Sequence, residues 1–278
     1  MLSKIRILPC LAILAACLLA TGCSSSPDRQ GRVQSTPLTD STTITKNQEP
    51  SGDSILERAS ALSGYRAQTG DHDRPFIKFP NEYYQYETSC YRLDMNTPFT
   101  GIEDIDRRFE NWSDGLRNQA MTELNESCYA GARDLYLDLT YETSVTRGQT
   151  MGVVFFAAKY TGGAHPITDV QTMNFNMLSG NLLQYQDIFT RTDGLYEFLS
   201  DYAYRALRPG LGEFWQDDTF TGGLEPKAEN FKNFVVTPDG LVLIFEQYQI
   251  APYSAGIQTC LVPLESLVKF QPRPGVWQ

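Results

Sequence analysis

The fold is decided by residues 133–159, which read RDLYLDLTYETSVTRGQTMGVVFFAAK. The first half places leucine at every second position, which predicts a strand with one buried face. The apolar run in the second half predicts another strand, and Arg147-Gly148-Gln149 between the two predicts a hairpin turn. We therefore expect long antiparallel strands from Arg133 to Thr146 and from Thr150 to Lys159.

Upstream of this hairpin the spacing of apolar residues predicts an amphipathic helix, from about Gly101 to Glu126. Residues at intervals of three and four form its apolar face: Ile102, Ile105, Phe109, Trp112, Leu116 and Ala120. Phe76 to Leu93, ahead of the helix, is rich in tyrosine and predicts strand structure with a bend at Pro80-Asn81.

Downstream, the pattern predicts a second helix from about Asp193 to Leu207, which Pro209-Gly210 should end. Residues 208–229 are polar and predict a surface loop. The predicted strands of this half are Val170 to Met177, Phe231 to Thr237, Leu241 to Gln247 and Gly256 to Pro263. Tight turns join neighbouring strands, so the expected fold class is α+β, with a mostly antiparallel sheet and two main helices packed on it.

Residues 1–22 are predicted to be a lipoprotein signal peptide. Lys4 and Arg6 form a basic start, Ile7 to Leu19 is apolar, and the sequence ATGC places Cys23 at a small-residue cleavage site. Cys23 is therefore the predicted lipidation site, and diacylglycerol with an N-acyl chain such as palmitate would anchor the mature chain to a membrane. The apolar run is shorter than the roughly 20 residues of a membrane-spanning helix.

Residues 23–54 are rich in Ser, Thr, Asp, Gln and Pro and predict a disordered tether. We divide the folded module into an N-terminal portion, 55–149, and a C-terminal portion, 150–278. Such a lipoprotein lies outside the cytoplasm, at the cell envelope. Ser24 after the lipidated cysteine favours the outer membrane, facing the periplasm, if the cell is Gram-negative.

The composition narrows the class of partner. The chain has 23 basic and 33 acidic residues and a net charge of −10, and phosphate repulsion argues against a nucleic-acid ligand. An acidic surface suits a basic protein partner, or it simply keeps an exported protein soluble. The oligomeric state stays open.

Three cysteines remain once the signal peptide and the lipid anchor are set aside: Cys90, Cys128 and Cys260. An exported chain favours one disulfide and one leftover thiol. We predict a Cys90–Cys128 bond, because each residue lies at the edge of an element in the N-terminal portion, whereas Cys260 lies inside a strand-like run. No metal site or cofactor is predicted, since the cysteines lack CxxC spacing and histidines are scarce.

Five short motifs occur in order in the second half of the chain. They are TGGAHP at 161–166, NFN at 174–176 followed by Ser179-Gly180, QDIF at 186–189, TPDGL at 237–241 and YQIAPYSAG at 248–256. Together they resemble the RsiV/PdaC-like domain family over about residues 150–268. That family includes the exported part of lysozyme-sensing anti-sigma factors, the region preceding a peptidoglycan deacetylase domain, and envelope lipoproteins.

The resemblance implies a non-catalytic binding module that recognises lysozyme-type muramidases or peptidoglycan. The predicted contact segment is Ile250 to Gly256, where Pro252 fixes φ and small residues such as Ser254 keep the loop short. Tyr253 on this loop offers amphipathic area at little entropic cost, as a binding anchor requires. A structural role, with Tyr253 packed over the end of the sheet, is the alternative.

His165 is a further ligand-binding candidate and the basis of a rival hypothesis. As a general base in an envelope glycan hydrolase it would need a carboxylate partner, for which Asp169 and Asp187 are candidates. No GxSxG elbow supplies a nucleophile. A turn residue whose ring hydrogen-bonds across strand ends is the structural alternative, and a scaffold for another envelope protein is a third class of function.

Overall fold

The computed structural model describes residues 54–56, 79–215 and 221–278. The predicted signal peptide, the lipidation site Cys23 and the tether before residue 54 lie outside these ranges. Within them, no helix combines the length and the apolar character needed to cross a membrane.

The first β-sheet contains, in the described ranges, strands that lie side by side in chain order. They are β1 (Asn81–Glu87), β2 (Tyr91–Pro98), β3 (Leu135–Val145), β4 (Thr150–Tyr160) and β5 (Ile167–Asn176). The β3–β4 pair confirms the hairpin predicted from residues 133–159. Neighbours pair antiparallel except β2 and β3, which are parallel because the helix α1 (Glu103–Tyr129) crosses over between them.

The second β-sheet is antiparallel and comes from the C-terminal part of the chain. Its strands are β6 (Phe234–Thr237), β7 (Gly240–Phe245) and β8 (Gln258–Pro263). The remaining α-helices of the described ranges are α2 (Tyr185–Ile188), α3 (Leu195–Leu211) and α4 (Pro274–Trp277). This arrangement confirms the α+β class with a mostly antiparallel sheet and α1 and α3 as its main helices.

Buried apolar clusters stack the elements in the order α1, first sheet, second sheet, α3. Phe109 of α1 packs edge-on against Phe155 and Phe175 of the first sheet, with ring centroids 5.5 and 5.4 Å apart. The buried stripe of α3 covers the second sheet: Leu195, Leu199, Ala203, Leu207 and Leu211. The inner faces of the two sheets meet in a cluster of branched residues: Val154, Val170, Val235, Val242, Ile244 and Leu261.

Asn174 of the NFN motif joins the two sheets. Its buried amide donates to the Phe234 carbonyl at 2.9 Å and accepts from the Val236 N–H at 2.8 Å. Gly152 on the neighbouring strand permits this approach, because a Cβ there would lie 2.5 Å from Val235 Cγ1. The motif therefore has a structural role, which is to fix β6 against β5.

The end of α3 differs from the prediction. Pro209-Gly210 does not end the helix, which continues to Leu211 because that side chain is buried in the core. The helix instead ends at Gly212, whose φ of 51° suits a residue without a Cβ and whose N–H donates to the Arg208 carbonyl.

The cysteines occupy the environments expected for them. Cys90 and Cys128 form a disulfide with a Cα–Cα distance of 6.1 Å, which ties the start of β2 to the last turn of α1. Cys260 is a buried thiol on β8, and burial raises its pKa to about 12. A thiol in that environment is a packing residue rather than a nucleophile.

Candidate functional site

Two loops that carry the family-like motifs meet in space. Residues 161–166 connect β4 to β5, and residues 246–257 connect β7 to β8. The rings of His165 and Tyr253 stack with centroids 3.8 Å apart and an interplanar angle of 21°. The Tyr248 ring lies 5.8 Å from that of Tyr253 and 6.5 Å from that of His165. We call His165, Tyr248 and Tyr253 the aromatic cluster.

Hydrogen bonds set the tautomer of His165. Its Nδ1 lies 3.1 Å from the Pro166 carbonyl oxygen, which can only accept, so Nδ1 carries the proton. The same carbonyl accepts from the Tyr253 hydroxyl at 3.0 Å. Nε2 lies 3.3 Å from the Tyr248 hydroxyl oxygen, within hydrogen-bond distance. One backbone carbonyl thus orients two of the three rings.

The loop that bears Tyr253 is rigid for local reasons. Pro252, with φ of −63°, precedes a short 3-10 turn, Tyr253–Ala255. Gly256 closes the turn with φ of 71° and donates its N–H to the Tyr253 carbonyl at 2.9 Å. Ser254 is exposed at the tip of this turn. Pro252 and Ser254 thus flank Tyr253 as predicted candidates without joining the ring stack.

Gln249 anchors the other half of the same loop. Its side-chain amide donates to the carbonyls of Gly223 and Asn230 at 3.1 and 2.9 Å and accepts from the Glu246 N–H at 3.1 Å. Ile250 and Ala251, which follow, are buried. The loop is therefore held by the core on one side and presents its aromatic residues on the other.

Tyr248 was missed by the sequence reasoning. It has φ of 68°, in the left-handed region, and its side chain is 49% exposed. A residue with a Cβ pays about 1–2 kcal/mol for that conformation, so the surrounding contacts must enforce it. Its place as the first residue of the YQIAPYSAG motif was the signal available in the sequence.

The carboxylates proposed as partners of His165, Asp169 and Asp187, are not among its hydrogen-bond partners. Asp187 accepts from the Gln184 N–H at 2.9 Å and completes a capping box at the start of α2. Asp169 is an exposed residue of β5 opposite Ala157. In the part of the chain that the structure describes, the hydrogen bonds of His165 go to a carbonyl and a phenol rather than to a carboxylate.

A cleft of about 710 Å³ separates the first half of α1 from β1 and β2. Aromatic residues form part of its wall. We call it the acidic cleft, because five carboxylates also line it: Glu82, Glu103, Asp106, Glu110 and Asp114. Asp106 serves the helix start, since its carboxylate accepts from the N–H groups of Thr100 and Gly101. Burial, helped by nearby Asp106 and Glu110, raises the pKa of Glu82.

Among the described residues, no three of His, Cys, Asp or Glu are grouped so that they could hold a metal ion.

Comparison with known proteins finds a family model that matches part of the chain. Residues 186–265 match the model of the family described as Protein of unknown function (DUF3298). This stretch runs from the second residue of α2 through α3, β6, β7 and β8, and it includes the loop of Tyr248 and Tyr253.

Curated relatives are similar over part of their length. The chain is 29% identical to the peptidoglycan-N-acetylmuramic acid deacetylase PdaC of Bacillus subtilis over 163 residues, which are 59% of this chain and 32% of that protein. It is 27% identical to an esterase of Mycobacterium tuberculosis over 122 residues, 42% of this chain and 51% of the esterase. The chain thus spans about a third to a half of the length of these relatives.

Solved structures of DUF3298 family proteins share the fold. One from Pseudomonas aeruginosa superimposes with a TM-score of 0.55 at 15% identity, covering 72% of this chain and 97% of the other. One from Bacteroides fragilis gives a TM-score of 0.50 at 17% identity, with 70% and 93% covered.

Proposed function

We propose that this protein is a non-catalytic binding module of the cell envelope that recognises peptidoglycan through the aromatic cluster. The observation that carries the proposal is the convergence of His165, Tyr248 and Tyr253 from two separate loops. Stacked, partly exposed rings offer a sugar a flat apolar surface, and their polar tips can bond its hydroxyl groups. The similarity to a deacetylase whose name places it on peptidoglycan supports this ligand class.

The arrangement of His165 favours binding over catalysis. A general base needs a partner that stabilises the charged imidazolium, usually a carboxylate. The contacts of His165 with the Pro166 carbonyl and the Tyr248 hydroxyl instead fix the orientation of the ring. We therefore assign His165 a positioning role, in which it supports the face of Tyr253.

The net charge of the chain favours a second candidate ligand. A chain with a net charge of −10 attracts a basic protein over long distances. A lysozyme-type muramidase is such a protein, and the resemblance to lysozyme-sensing domains points to the same class. In this case Tyr253 would enter the partner's surface as the central anchor of an interface.

We further propose that Cys23 carries the lipid anchor and that the folded module acts outside the cytoplasm. The basis is the signal-like sequence before Cys23, with the outer membrane as the expected location in a Gram-negative cell. Cys23→Ser should move the protein from the membrane fraction to the soluble fraction and abolish labelling by a palmitate analogue. Unchanged membrane association and labelling in this variant would overturn the assignment.

The binding proposal is tested with a soluble chain, residues 23–278 carrying C23S. Its co-sedimentation with purified peptidoglycan should weaken about 30-fold in Tyr253→Ala, because truncating an anchor costs about 2 kcal/mol. Tyr253→Phe should retain most of the binding, since the ring stays. Tyr129→Ala is the matched control, because Tyr129 is 91% exposed at the end of α1. Equal binding by the wild type and Tyr253→Ala would sink the proposal.

Binding of a lysozyme requires a separate experiment. Calorimetric titration with a basic lysozyme at low and at high salt should give binding that weakens with salt and depends on Tyr253. Glycan cleavage measured in the same mixtures shows whether binding inhibits the muramidase. Absence of heat at micromolar concentrations would remove the lysozyme candidate and leave the peptidoglycan result unaffected.

A further inference from the structure

A cleft of about 610 Å³ lies between α1 and the strand β5, on the opposite flank of α1 from the acidic cleft. We call it the tryptophan cleft. Its lining residues are Arg108, Asn111, Trp112, Gln171, Thr172, Met173, Leu182, Gln184 and Lys232. Although the chain is strongly acidic, this described lining contains two cations and no carboxylate. Its charge is therefore opposite in sign to that of the acidic cleft and of the chain as a whole.

The cleft lies where the edge of the first sheet is left open. β5 is an edge strand, and its outer backbone groups are capped at both ends of the cleft. The Thr168 N–H donates to the Gln247 side chain at 3.0 Å, and the Asn174 carbonyl accepts from the Leu183 N–H at 2.7 Å. Thr172 lies between these two caps, in the wall of the cleft. A ligand in the cleft would contact the part of β5 that lies between the Thr168 and Asn174 contacts.

Trp112 provides a fixed aromatic wall. Its ring packs on that of Phe155 with centroids 4.5 Å apart and an interplanar angle of 38°. Phe155 is fully buried and backs the indole with the core, while Trp112 itself is only half-buried. A rigid, half-exposed indole is a surface on which a pyranose ring can stack at low entropic cost.

Amide side chains supply both donors and acceptors around the indole. Gln171 donates its Nε2 to the Thr172 carbonyl at 2.9 Å, which leaves its own carbonyl oxygen as an acceptor. The Gln184 side chain accepts from the N–H of Asp187 in the capping box, which leaves its amino group as a donor. Such a pair complements an N-acetyl group, which presents one N–H and one carbonyl.

Arg108 gives the cleft an available positive charge. The neighbouring arginines of α1 are engaged, Arg107 with Asp104 and Arg117 with Asp114. Lys232 pairs with Glu246 at 3.1 Å. Among the ion pairs of the described residues Arg108 takes no part, and it is exposed at the cleft. Its guanidinium is suited to a carboxylate, which it can bind through two parallel hydrogen bonds.

We infer that the tryptophan cleft binds a carboxylated N-acetylhexosamine, such as the N-acetylmuramic acid unit of peptidoglycan. The sugar ring lies on Trp112, the acetamido group meets Gln171 and Gln184, and the carboxylate pairs with Arg108. The volume is in the range of small-molecule sites, about 300–1,000 Å³. This inference rests on the proposed function in its ligand class, and it adds a second contact site that is separate from the aromatic cluster.

The test compares two sugars that differ only in the 3-O-lactyl group, which carries the carboxylate. N-acetylmuramic acid and N-acetylglucosamine are titrated into the full chain, purified in detergent, and binding is followed by saturation-transfer NMR. The wild type should bind N-acetylmuramic acid at least tenfold more tightly. Arg108→Gln should abolish this preference. Arg107→Gln is the control and should retain it, because the neighbouring Arg107 is paired with Asp104. Trp112→Phe should weaken binding of both sugars.

The outcomes separate this inference from the proposed function. If the wild type binds neither sugar, or binds both equally, the inference is overturned, whether or not Tyr253→Ala weakens binding to intact peptidoglycan. If the preference for N-acetylmuramic acid depends on Arg108 while Tyr253→Ala binds intact peptidoglycan normally, the tryptophan cleft is supported as a binding site and the aromatic cluster is not. An equal loss of preference in Arg107→Gln and Arg108→Gln would show a general charge effect and would also overturn the inference.

Discussion

At the residue scale, single atoms and side chains form contacts that hold distant parts of the chain together. The Pro166 carbonyl accepts from both His165 and Tyr253, so one backbone atom defines the geometry of the aromatic cluster. Glu123 plays a comparable part on α1, where its carboxylate accepts from Lys159 of β4 at 2.5 Å and from Gln119 at 2.8 Å. The first contact ties the helix to the sheet beneath it.

The pH dependence of this contact can be predicted. The hydrogen bonds from Lys159 and Gln119 lower the pKa of Glu123 in the folded state. Its stabilising effect is therefore complete above the unfolded value of about 4.3 and is lost as the pH falls through the folded pKa. Glu123→Gln should lower the free energy of unfolding by about 0.5 kcal/mol at neutral pH.

Urea unfolding at neutral pH and at a pH below the folded pKa checks this expectation. The difference between Glu123→Gln and the wild type should disappear at the acidic pH. Glu126→Gln, an exposed change one turn further along α1, serves as the control and should have no comparable effect. A difference of equal size at both pH values would contradict an electrostatic origin.

At the element scale, the sheets are joined by side chains as well as by apolar packing. Asn174 behaves as a short piece of strand, because its amide donates to Phe234 and accepts from Val236 as a neighbouring backbone would. Thr172 adds a third bond by accepting from the Phe234 N–H at 3.1 Å. β6 therefore depends on β5 although the two strands belong to different sheets.

Removal of the Asn174 amide should be costly. Asn174→Ala leaves a buried carbonyl and a buried N–H of β6 without partners, at about 1–3 kcal/mol for each group. We expect a loss of about 2–4 kcal/mol in the free energy of unfolding, measured by urea denaturation. Asn176→Ala is the matched control, because that amide accepts from Leu178 and Ser179 in an exposed turn and should cost far less. Equal losses in the two variants would contradict the bridging role.

At the scale of the whole molecule, the four layers should unfold as one unit. The apolar cluster between the sheets and the bonds of Asn174 couple the first sheet to the second. Trp112 reports on the first sheet, and Trp277, whose indole donates to the Thr237 carbonyl at 2.9 Å, reports on the second. Variants in which Trp215 and one of these two are replaced, so that a single tryptophan remains, should show fluorescence and circular-dichroism transitions with the same urea midpoint. Separate midpoints would show that the halves unfold independently.

Periodicity in the sequence predicts the elements better than their arrangement. Alternation in residues 133–159 and the three-to-four spacing before it predict the hairpin and α1 correctly. The parallel pairing of β2 with β3 and the packing of one sheet on the other depend on contacts between distant residues, which no local pattern encodes. The continuation of α3 past Pro209 has the same cause, since burial of Leu211 outweighs the local signal.

The sequence indicated two residues of the aromatic cluster as candidates but not the contacts between them. His165 and Tyr253 were singled out separately, but their stacking follows from the way the strands bring two loops together. The left-handed backbone of Tyr248 leaves no trace in composition or spacing. The charge of the tryptophan cleft is also a tertiary property, because Arg108 and Lys232 are far apart in the chain and meet only across the edge of β5.

The disulfide has a mechanical consequence. If the chain is pulled from its N-terminal side, tension peels an edge strand such as β1 more readily than an inner one. At Cys90 the load passes directly to Cys128, 38 positions later, without stretching the chain between them. The disulfide thereby prevents the segment between the two cysteines from extending, which would otherwise add roughly 130 Å to the length of the pulled chain. Under such pulling, β2 and α1 stay inside a closed covalent loop, because β2, and α1 as far as Cys128, lie between the two bonded cysteines.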